Sequence, residues 1–122
     1  MPEFDSLVSA LKALSQGEAG AEITLPVAED EWNTRPDTVS YGLVSYDFEA
    51  GQLNGDDGKA DCAVEGSADL FSRDRTGAGW IPLITGTLQT HCGASWGLNS
   101  HTYERETGYF HWEWTFQVGG GL

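Results

Sequence analysis

The chain has 122 residues, of which 19 are acidic and six are basic, so its formal net charge at pH 7 is −13 with the histidines neutral. Six scattered cations are too few to neutralise a phosphate backbone or to bind an anionic membrane surface. We therefore expect neither sequence-specific nucleic acid binding nor membrane association. The length suits one domain, and five Trp, four Tyr and five Phe supply apolar surface for its core. Because no apolar run approaches the roughly 20 residues of a membrane span and no basic segment opens the chain, we expect a cytoplasmic protein.

Apolar residues recur near the start of the chain at steps of three and four, which predicts an amphipathic helix over residues 5–15. Its apolar face consists of Phe4, Leu7, Val8, Leu11 and Leu14. Asp5 is suited to cap the start of this helix, and Gly17 and Gly20 are suited to end it.

A short strand is predicted over residues 23–27. Pro26 cannot donate to a strand ladder, so this strand is expected at a sheet edge. A loop then leads to a long strand over residues 38–50. Its apolar residues change parity, with Val39, Tyr41 and Leu43 at odd positions and Val44, Tyr46, Phe48 and Ala50 at even ones. A strand changes parity only through an extra residue, so a β-bulge is predicted near Leu43 and Val44.

An acidic segment over residues 51–58 joins this strand to another over residues 59–72. The second strand alternates between an apolar face and an acidic face, as a half-buried antiparallel strand does. The apolar face consists of Ala60, Cys62, Val64, Ala68 and Leu70, and the acidic, solvated face of Asp61, Glu65 and Asp69.

Residues 74–79 form a turn that leads into a second helix, which reaches about His91. Pro82 is tolerated because it lies in the first helical turn. The apolar stripe of this helix consists of Ile81, Ile84 and Leu88.

Two final strands, over residues 95–105 and 109–118, form a hairpin around a turn at 106–108. The returning strand alternates without interruption. Its apolar side consists of Phe110, Trp112, Trp114, Phe116 and Val118. Burying this row requires a cover, so we predict one α+β domain over residues 1–118, with two helices on one face of an antiparallel or mixed sheet of four to five strands. Residues 119–122 are predicted to form a flexible Gly-rich end.

The histidines offer one candidate metal site. If opposite positions of the final hairpin sum to about 212, His101 and His111 are cross-strand neighbours, and Glu104 or Glu113 can add an oxygen ligand. The alternative is an exposed polar face, with His91 at the C-terminus of the second helix, where its charge suits the helix dipole. We favour the alternative and expect no metal site.

Other motifs are incomplete. The H-x-E at 111–113 lacks the P-C-x-x-C of zinc deaminases, and the acidic residues at 54–61 lack EF-hand spacing. The Gly-Ala-Gly at 77–79 lacks the Lys-Ser/Thr of a phosphate loop, and the sequence ties no Ser or Cys to a neighbouring base. Cys62 and Cys92 lie thirty positions apart outside any C-x-x-C pair, so reduced thiols are expected. We therefore predict no catalytic residue, no cofactor and no enzymatic activity.

The order of elements and several short stretches resemble tail terminator and tail-completion proteins of long-tailed bacteriophages and prophages. The stretches are Arg35-Pro36-Asp37-Thr38-Val39-Ser40-Tyr41-Gly42, Asp56-Asp57, Val64-Glu65-Gly66-Ser67-Ala68-Asp69-Leu70-Phe71, Tyr103-x-x-Glu106-Thr107-Gly108 and His111-Trp112-Glu113-Trp114. The resemblance implies a non-enzymatic virion subunit that forms a hexameric ring, caps the tail tube and contacts the head connector. It also implies location in the phage tail or neck, with the host cytoplasm as the site of assembly.

In such a ring each interface joins different surfaces of identical subunits, so an acidic loop can meet a basic patch. We predict contacts between Asp56 and Asp57 of one copy and Arg35, Arg73 and Arg75 of the next; the simpler alternative is a solvated turn. An acidic bore would also let DNA slide, because like charges repel. Two readings stay open beside this one. One is a neck or connector component of the same virion. The other is a small ligand- or metal-binding domain, possibly an enzyme, that uses the Trp-rich sheet and the His101/His111 pair.

Overall fold

The computed structural model describes residues 2–17, 22–50 and 63–119, and the predicted α+β class is confirmed. Two helices and seven strands are present in these ranges. In chain order they are α1 (Pro2–Lys12), β1 (Ser15–Gln16), β2 (Ile23–Thr24), β3 (Val27–Glu29), β4 (Ser40–Ala50), β5 (Ala63–Ser72), α2 (Trp80–Cys92), β6 (Trp96–Glu104) and β7 (Tyr109–Gly119). The strands β1 and β2 form a small antiparallel ribbon, and the other five form one sheet in the order β3-β4-β5-β7-β6. Gly119, predicted to lie in a flexible end, is the last residue of β7.

The helix α1 is amphipathic as predicted, with Phe4, Leu7, Val8 and Leu11 buried. It begins three residues earlier than expected, so the assignment of Asp5 as its cap is wrong. Asp5 instead lies in the first turn, where a negative charge suits the helix dipole. The helix ends at Lys12 because the chain enters β1 at Ser15, and Gly17 then takes a positive φ of 108°. Gly20 lies outside the described residues.

Pro26 divides the strand predicted over 23–27 into β2 and β3. Its carbonyl oxygen accepts a hydrogen bond of 2.7 Å from the backbone N–H of Gly42. The strand β3 pairs parallel with β4 and lies at the sheet edge, as the proline predicted. Ala28 and Glu29, predicted to lie in the following loop, belong to this edge strand.

The bulge in β4 lies between Tyr46 and Phe48, where Asp47 has no partner on β5. Its predicted position near Leu43 and Val44 is therefore wrong, since both of these residues pair regularly with β5. The prediction failed because buried apolar residues, Tyr41 and Val44, lie on opposite faces of β4 near its start. Apolar character there does not identify the face that the helices cover.

The core lies between the helices and one face of the sheet, here called the inner face. The alternation in β7 correctly predicted this burial, since Trp112 and Trp114 are only 5% and 2% exposed. From β5, Val64, Ala68 and Leu70 are buried on the same face, as predicted. The helix α2 contributes a stripe that includes Ile84 and Leu88, which confirms its predicted orientation; it begins after Gly79, whose φ is 84°.

Candidate functional site

The face of the sheet opposite the helices, here called the outer face, carries a row of three stacked rings. Tyr41 on β4 pairs with Phe71 on β5, which pairs with His111 on β7. The Tyr41 and Phe71 centroids lie 4.8 Å apart with the planes 11° from parallel, and the Phe71 and His111 centroids lie 4.1 Å apart at 22°. Aromatic contacts therefore connect three adjacent strands on a face that the sequence pattern assigned to solvent.

The loop at 30–39 packs over one end of this row. The indole N–H of Trp32 donates to the Gly42 carbonyl oxygen at 3.0 Å, and its ring meets that of Tyr41 edge-on at 6.0 Å. The Tyr109 hydroxyl donates to the Thr38 carbonyl oxygen at 2.7 Å. Both tyrosines are buried as a result, and burial is the main cause of the raised pKa of the Tyr41 hydroxyl.

His111 lies between two carboxylates that come from different strands. Its Nε2 is 2.6 Å from Oδ2 of Asp69 on β5, and its Nδ1 is 3.1 Å from Oε2 of Glu104 on β6. Asp69 was predicted on a solvated face, but it is only 8% exposed because the imidazole lies against it. The side chains of His111 and Glu104 are 22% and 35% exposed. We call these three residues the histidine clasp.

Opposing effects act on the pKa values in the histidine clasp. Burial lowers the pKa of His111, but hydrogen bonding and charge from Asp69, with a further contribution from Glu104, outweigh burial and raise it. Burial also raises the pKa of the Asp69 carboxyl, and the hydrogen bond from His111 opposes that rise. The imidazolium form is therefore favoured, since it alone donates to both carboxylates.

The histidine clasp is suited to holding a proton. Both ring nitrogens of His111 face carboxylate oxygens, so neither is free to activate a nucleophile or to bind a metal in this arrangement. Across the described ranges, no group of three His, Cys, Asp or Glu side chains is arranged to hold a metal ion.

The predicted His101/His111 pair does not form. His101 lies opposite Trp112 and stacks on its ring at 4.5 Å, whereas His111 lies opposite Thr102 on the other face of the sheet. The register is the predicted one near the start of β6, but Asn99 is an extra residue that shifts it by one before His101. The two imidazoles therefore cannot share a metal ion.

The structure brings two of the predicted interface residues together. The guanidinium carbons of Arg35 and Arg73 lie 5.8 and 5.0 Å from the centroid of the Tyr109 ring, within the range of cation–π contacts. Arg73 also pairs with Asp37 at 3.2 Å. Arg75 is exposed and follows two residues later in the turn after β5.

The predicted partners of these arginines, Asp56 and Asp57, lie outside the described residues, as does Cys62. The other cysteine, Cys92, is half-buried at the end of α2, and burial raises its pKa to about 11. A thiol with such a pKa is almost entirely protonated at neutral pH and is a poor nucleophile.

Pattern analysis did not find the histidine clasp, although it put both Asp69 and His111 on polar faces. The missing information was that β7 pairs with β5, which places Asp69 opposite Glu113 and diagonally next to His111. Once that pairing is known, the alternation of each strand brings these two residues onto one face.

No protein-family model, curated protein or solved structure matches this chain at a significant level. The resemblance to tail terminators accordingly stays a prediction. Neither helix of the described ranges is long and apolar enough to cross a membrane. The function is therefore inferred from the geometry and charge of the chain's own residues.

Proposed function

We propose that this protein is a non-enzymatic structural subunit that assembles head to tail with copies of itself, as a terminator at the end of a phage or prophage tail would. The observation that carries the proposal is the distribution of charge along the sheet. Most of the chain's cations collect at one end of β4 and β5, and an acidic segment is attached at the other end.

The first end, here called the arginine end, is where β4 begins, β5 ends and β6 turns into β7. Its cations are Arg35, Arg73, Arg75 and Arg105, four of the six in the sequence. They offset the acids of the same region, which are Asp37, Asp74, Glu104 and Glu106. The acidic excess of the chain therefore lies elsewhere.

The opposite end, here called the acidic end, is where Ala50 of β4 pairs with Ala63 of β5. In the sequence, three acids, Asp56, Asp57 and Asp61, and one cation, Lys59, lie between these two residues. Ten residues of β5 separate the two ends by roughly 30 Å. When identical copies associate through a heterologous interface, opposite ends of neighbouring subunits meet. The acidic end then faces four arginines in a region without net charge, which favours this contact over one between two acidic surfaces.

The arginine end also presents apolar surface. An open groove of about 740 Å³ runs between the β1–β2 ribbon and the start of β4, and its lining includes Ile23, Val39 and Trp80. Ile23 and Val39 are among the most exposed large apolar side chains described. The backbone N–H of Arg73 donates to the Val39 carbonyl oxygen, so the charged and apolar parts adjoin. An apolar centre with a charged rim is the usual composition of a protein interface.

In the proposed role, a ring of these subunits caps the tail tube and contacts the head connector. The ring forms in the host cytoplasm and becomes part of the virion. Hexameric stoichiometry follows from the resemblance alone. The strong negative charge would keep DNA from adhering to the bore.

A charge-swap experiment tests the proposal. Arg75→Glu with Arg105→Glu makes the arginine end acidic without touching the Arg35 and Arg73 contacts to Tyr109. Asp56→Lys with Asp57→Lys makes the acidic end basic. Each double variant should retain its circular dichroism melt but self-associate roughly 10- to 30-fold more weakly in sedimentation velocity, since two contacts of about 1 kcal/mol are reversed.

Mixing the two variants supplies the decisive measurement. In the mixture, every junction joins an acidic end of one copy to a cation-bearing end of the next, so alternating copies should assemble where neither variant does alone. Glu29→Lys with Glu31→Lys is the matched control, because it changes the net charge as much as the aspartate swap but lies beside the middle of β4. A wild-type chain that stays monomeric at all concentrations, or a mixture that fails to recover assembly, contradicts the proposal.

A further inference from the structure

We propose that the histidine clasp is a contact that depends on the protonation of His111. Protonated His111 holds Glu104 of β6 on the outer face of the sheet, and neutral His111 releases it. This device acts within one subunit and is independent of self-assembly. It involves three neighbouring strands of the sheet, β5, β7 and β6.

The two protonation states of His111 differ in the number of hydrogen bonds that the ring can donate. An imidazolium has two N–H donors, one for each carboxylate oxygen that faces it in the structure. A neutral imidazole has one N–H, and its other nitrogen presents a lone pair. In the observed geometry that lone pair would face a carboxylate oxygen, so the neutral ring cannot keep both contacts.

Burial decides which contact is released. Asp69 is almost fully buried, and a buried carboxylate without a hydrogen-bond donor is costly. Glu104 is about one-third exposed and can exchange His111 for water. The remaining proton of neutral His111 therefore stays on Nε2, towards Asp69, and Glu104 separates from Nδ1.

The surroundings favour the closed form near neutral pH. Carboxylates dominate the charge around the imidazole, while Arg35 and Arg73 lie further off, beside the Tyr109 ring. Asp69 from β5 and Glu104 from β6 act on His111 directly, and Glu113 from β7 and Asp47 from β4 act on Asp69. Arg35 from the loop interacts with Glu104 and with the uncharged hydroxyls of Tyr41 and Tyr109. The two hydrogen bonds of the ring and the raised pKa of His111 both favour the protonated form, in which Glu104 is held.

The histidine clasp stabilises the fold more at low pH than at high pH, because the pKa of His111 is raised in the folded chain. A histidine whose pKa is higher in the folded than in the unfolded chain contributes stability that is fully present below the unfolded value of about 6.5. That contribution is lost as the pH rises through the higher pKa of folded His111. The ring also stacks on Phe71, at the end of the aromatic row.

A site-resolved titration tests the inference. The Cε1–H signal of His111, assigned by its loss in His111→Gln, is followed by NMR from roughly pH 5.5 to 8.5 in the native chain and in urea. The native midpoint should lie above the urea midpoint, and Glu104→Gln should lower it. Glu106→Gln is the matched control, since it removes an exposed carboxylate of the adjoining turn. A native midpoint at or below the urea midpoint, or equal effects of both glutamate variants, overturns the inference.

Hydrogen exchange tests the release of β6. In the wild type, protection factors of the β6 amides that donate to β7, which are those of every second residue because β6 is an edge strand, should fall more between pH 6 and 8 than those at Ser67 and Ala68 in the centre of the sheet. Glu104→Gln should abolish this difference. This variant still tests the inference if His111→Gln does not fold. Equal pH dependence in both strands of the wild type would contradict the proposed release.

Discussion

Replacing Gly66 by Ala tests the packing next to the bulge in β4. Gly66 lies on β5 opposite Tyr46, the last regular pair before the irregularity at Asp47. A Cβ atom here would overlap the Ser45 carbonyl oxygen and would lie 2.9 Å from Cζ of Phe116 and 3.0 Å from Cα of Tyr46. The approaches to Ser45 and Phe116 are closer than real Cβ contacts, and the approach to Tyr46 is tighter than nine in ten of them.

The cost follows from the atoms involved. Two of the three obstacles belong to the backbone of β4, which cannot rotate away, and Phe116 is itself buried in the core. Overpacking of this kind costs about 1–3 kcal/mol, and backbone obstacles put Gly66→Ala near the upper end, at about 2–3 kcal/mol. With a denaturant dependence of about 2 kcal/mol per molar urea, the unfolding midpoint should fall by roughly 1–1.5 M.

Urea unfolding followed by tryptophan fluorescence measures this loss. Gly97→Ala is the matched control, because Gly97 lies on a strand of the same sheet and a Cβ added there meets no atom within 4 Å. The control should change stability by no more than about 0.5 kcal/mol. Equal midpoints for the two variants would refute the reasoning from the close approach of β4.

Three further predictions concern the core, α2 and metal binding. Trp114→Ala should cost about 3–5 kcal/mol in urea unfolding, since the indole is fully packed between the sheet and its helices, and a loss below about 1 kcal/mol would contradict its burial. Gly86→Ala should raise stability by about 0.5–1 kcal/mol, because an added Cβ on α2 meets nothing within 4 Å and alanine favours helix; a lower midpoint would oppose this view. A modest excess of zinc or nickel should leave the melting temperature unchanged, because His101 and His111 lie on opposite faces. A rise of many degrees that His101→Ala or His111→Ala abolishes would restore the metal-binding alternative.

Regular alternation made much of the fold predictable from the sequence. The strand β7 repeats its apolar residues at every second position, and the register of the sheet buries them as that period requires. The stripe of Ile84 and Leu88 likewise oriented α2. Both signals arise because one face of each element is buried and the other is not.

The errors occur where that assumption fails. Tyr41 is buried on the outer face by Trp32, so its burial does not mean that it faces the helices. The change of parity was therefore predicted near Leu43 and Val44, although the extra residue is Asp47. Asp69 was assigned to solvent because the burial of a carboxylate depends on a partner, here His111, which is distant in sequence. In neither case do the neighbouring residues in the sequence indicate that the side chain is buried.

The candidate site was less predictable than the fold, because it depends on strand order and on single-residue register. An extra residue at Asn99 moves His101 opposite Trp112 and leaves His111 opposite Thr102. No hydrophobic pattern marks this insertion. Contacts that bridge three strands, such as those of the histidine clasp, follow from pairings that only tertiary structure defines.

The position of β7 in the sheet has a consequence for how the chain folds during synthesis. Among the described strands β7 is made last, yet it lies between β5 and β6. A nascent chain that ends before Tyr109 exposes an unpaired edge of β5 and leaves β6 unattached, while the apolar faces of both helices lack much of their cover. Such edges recruit other chains, so a released chain that lacks β7 is prone to aggregation. Since β6 and β7 form a hairpin around the turn after Glu104, β7 can pair with β6 locally and then bring both strands to the open edge of β5.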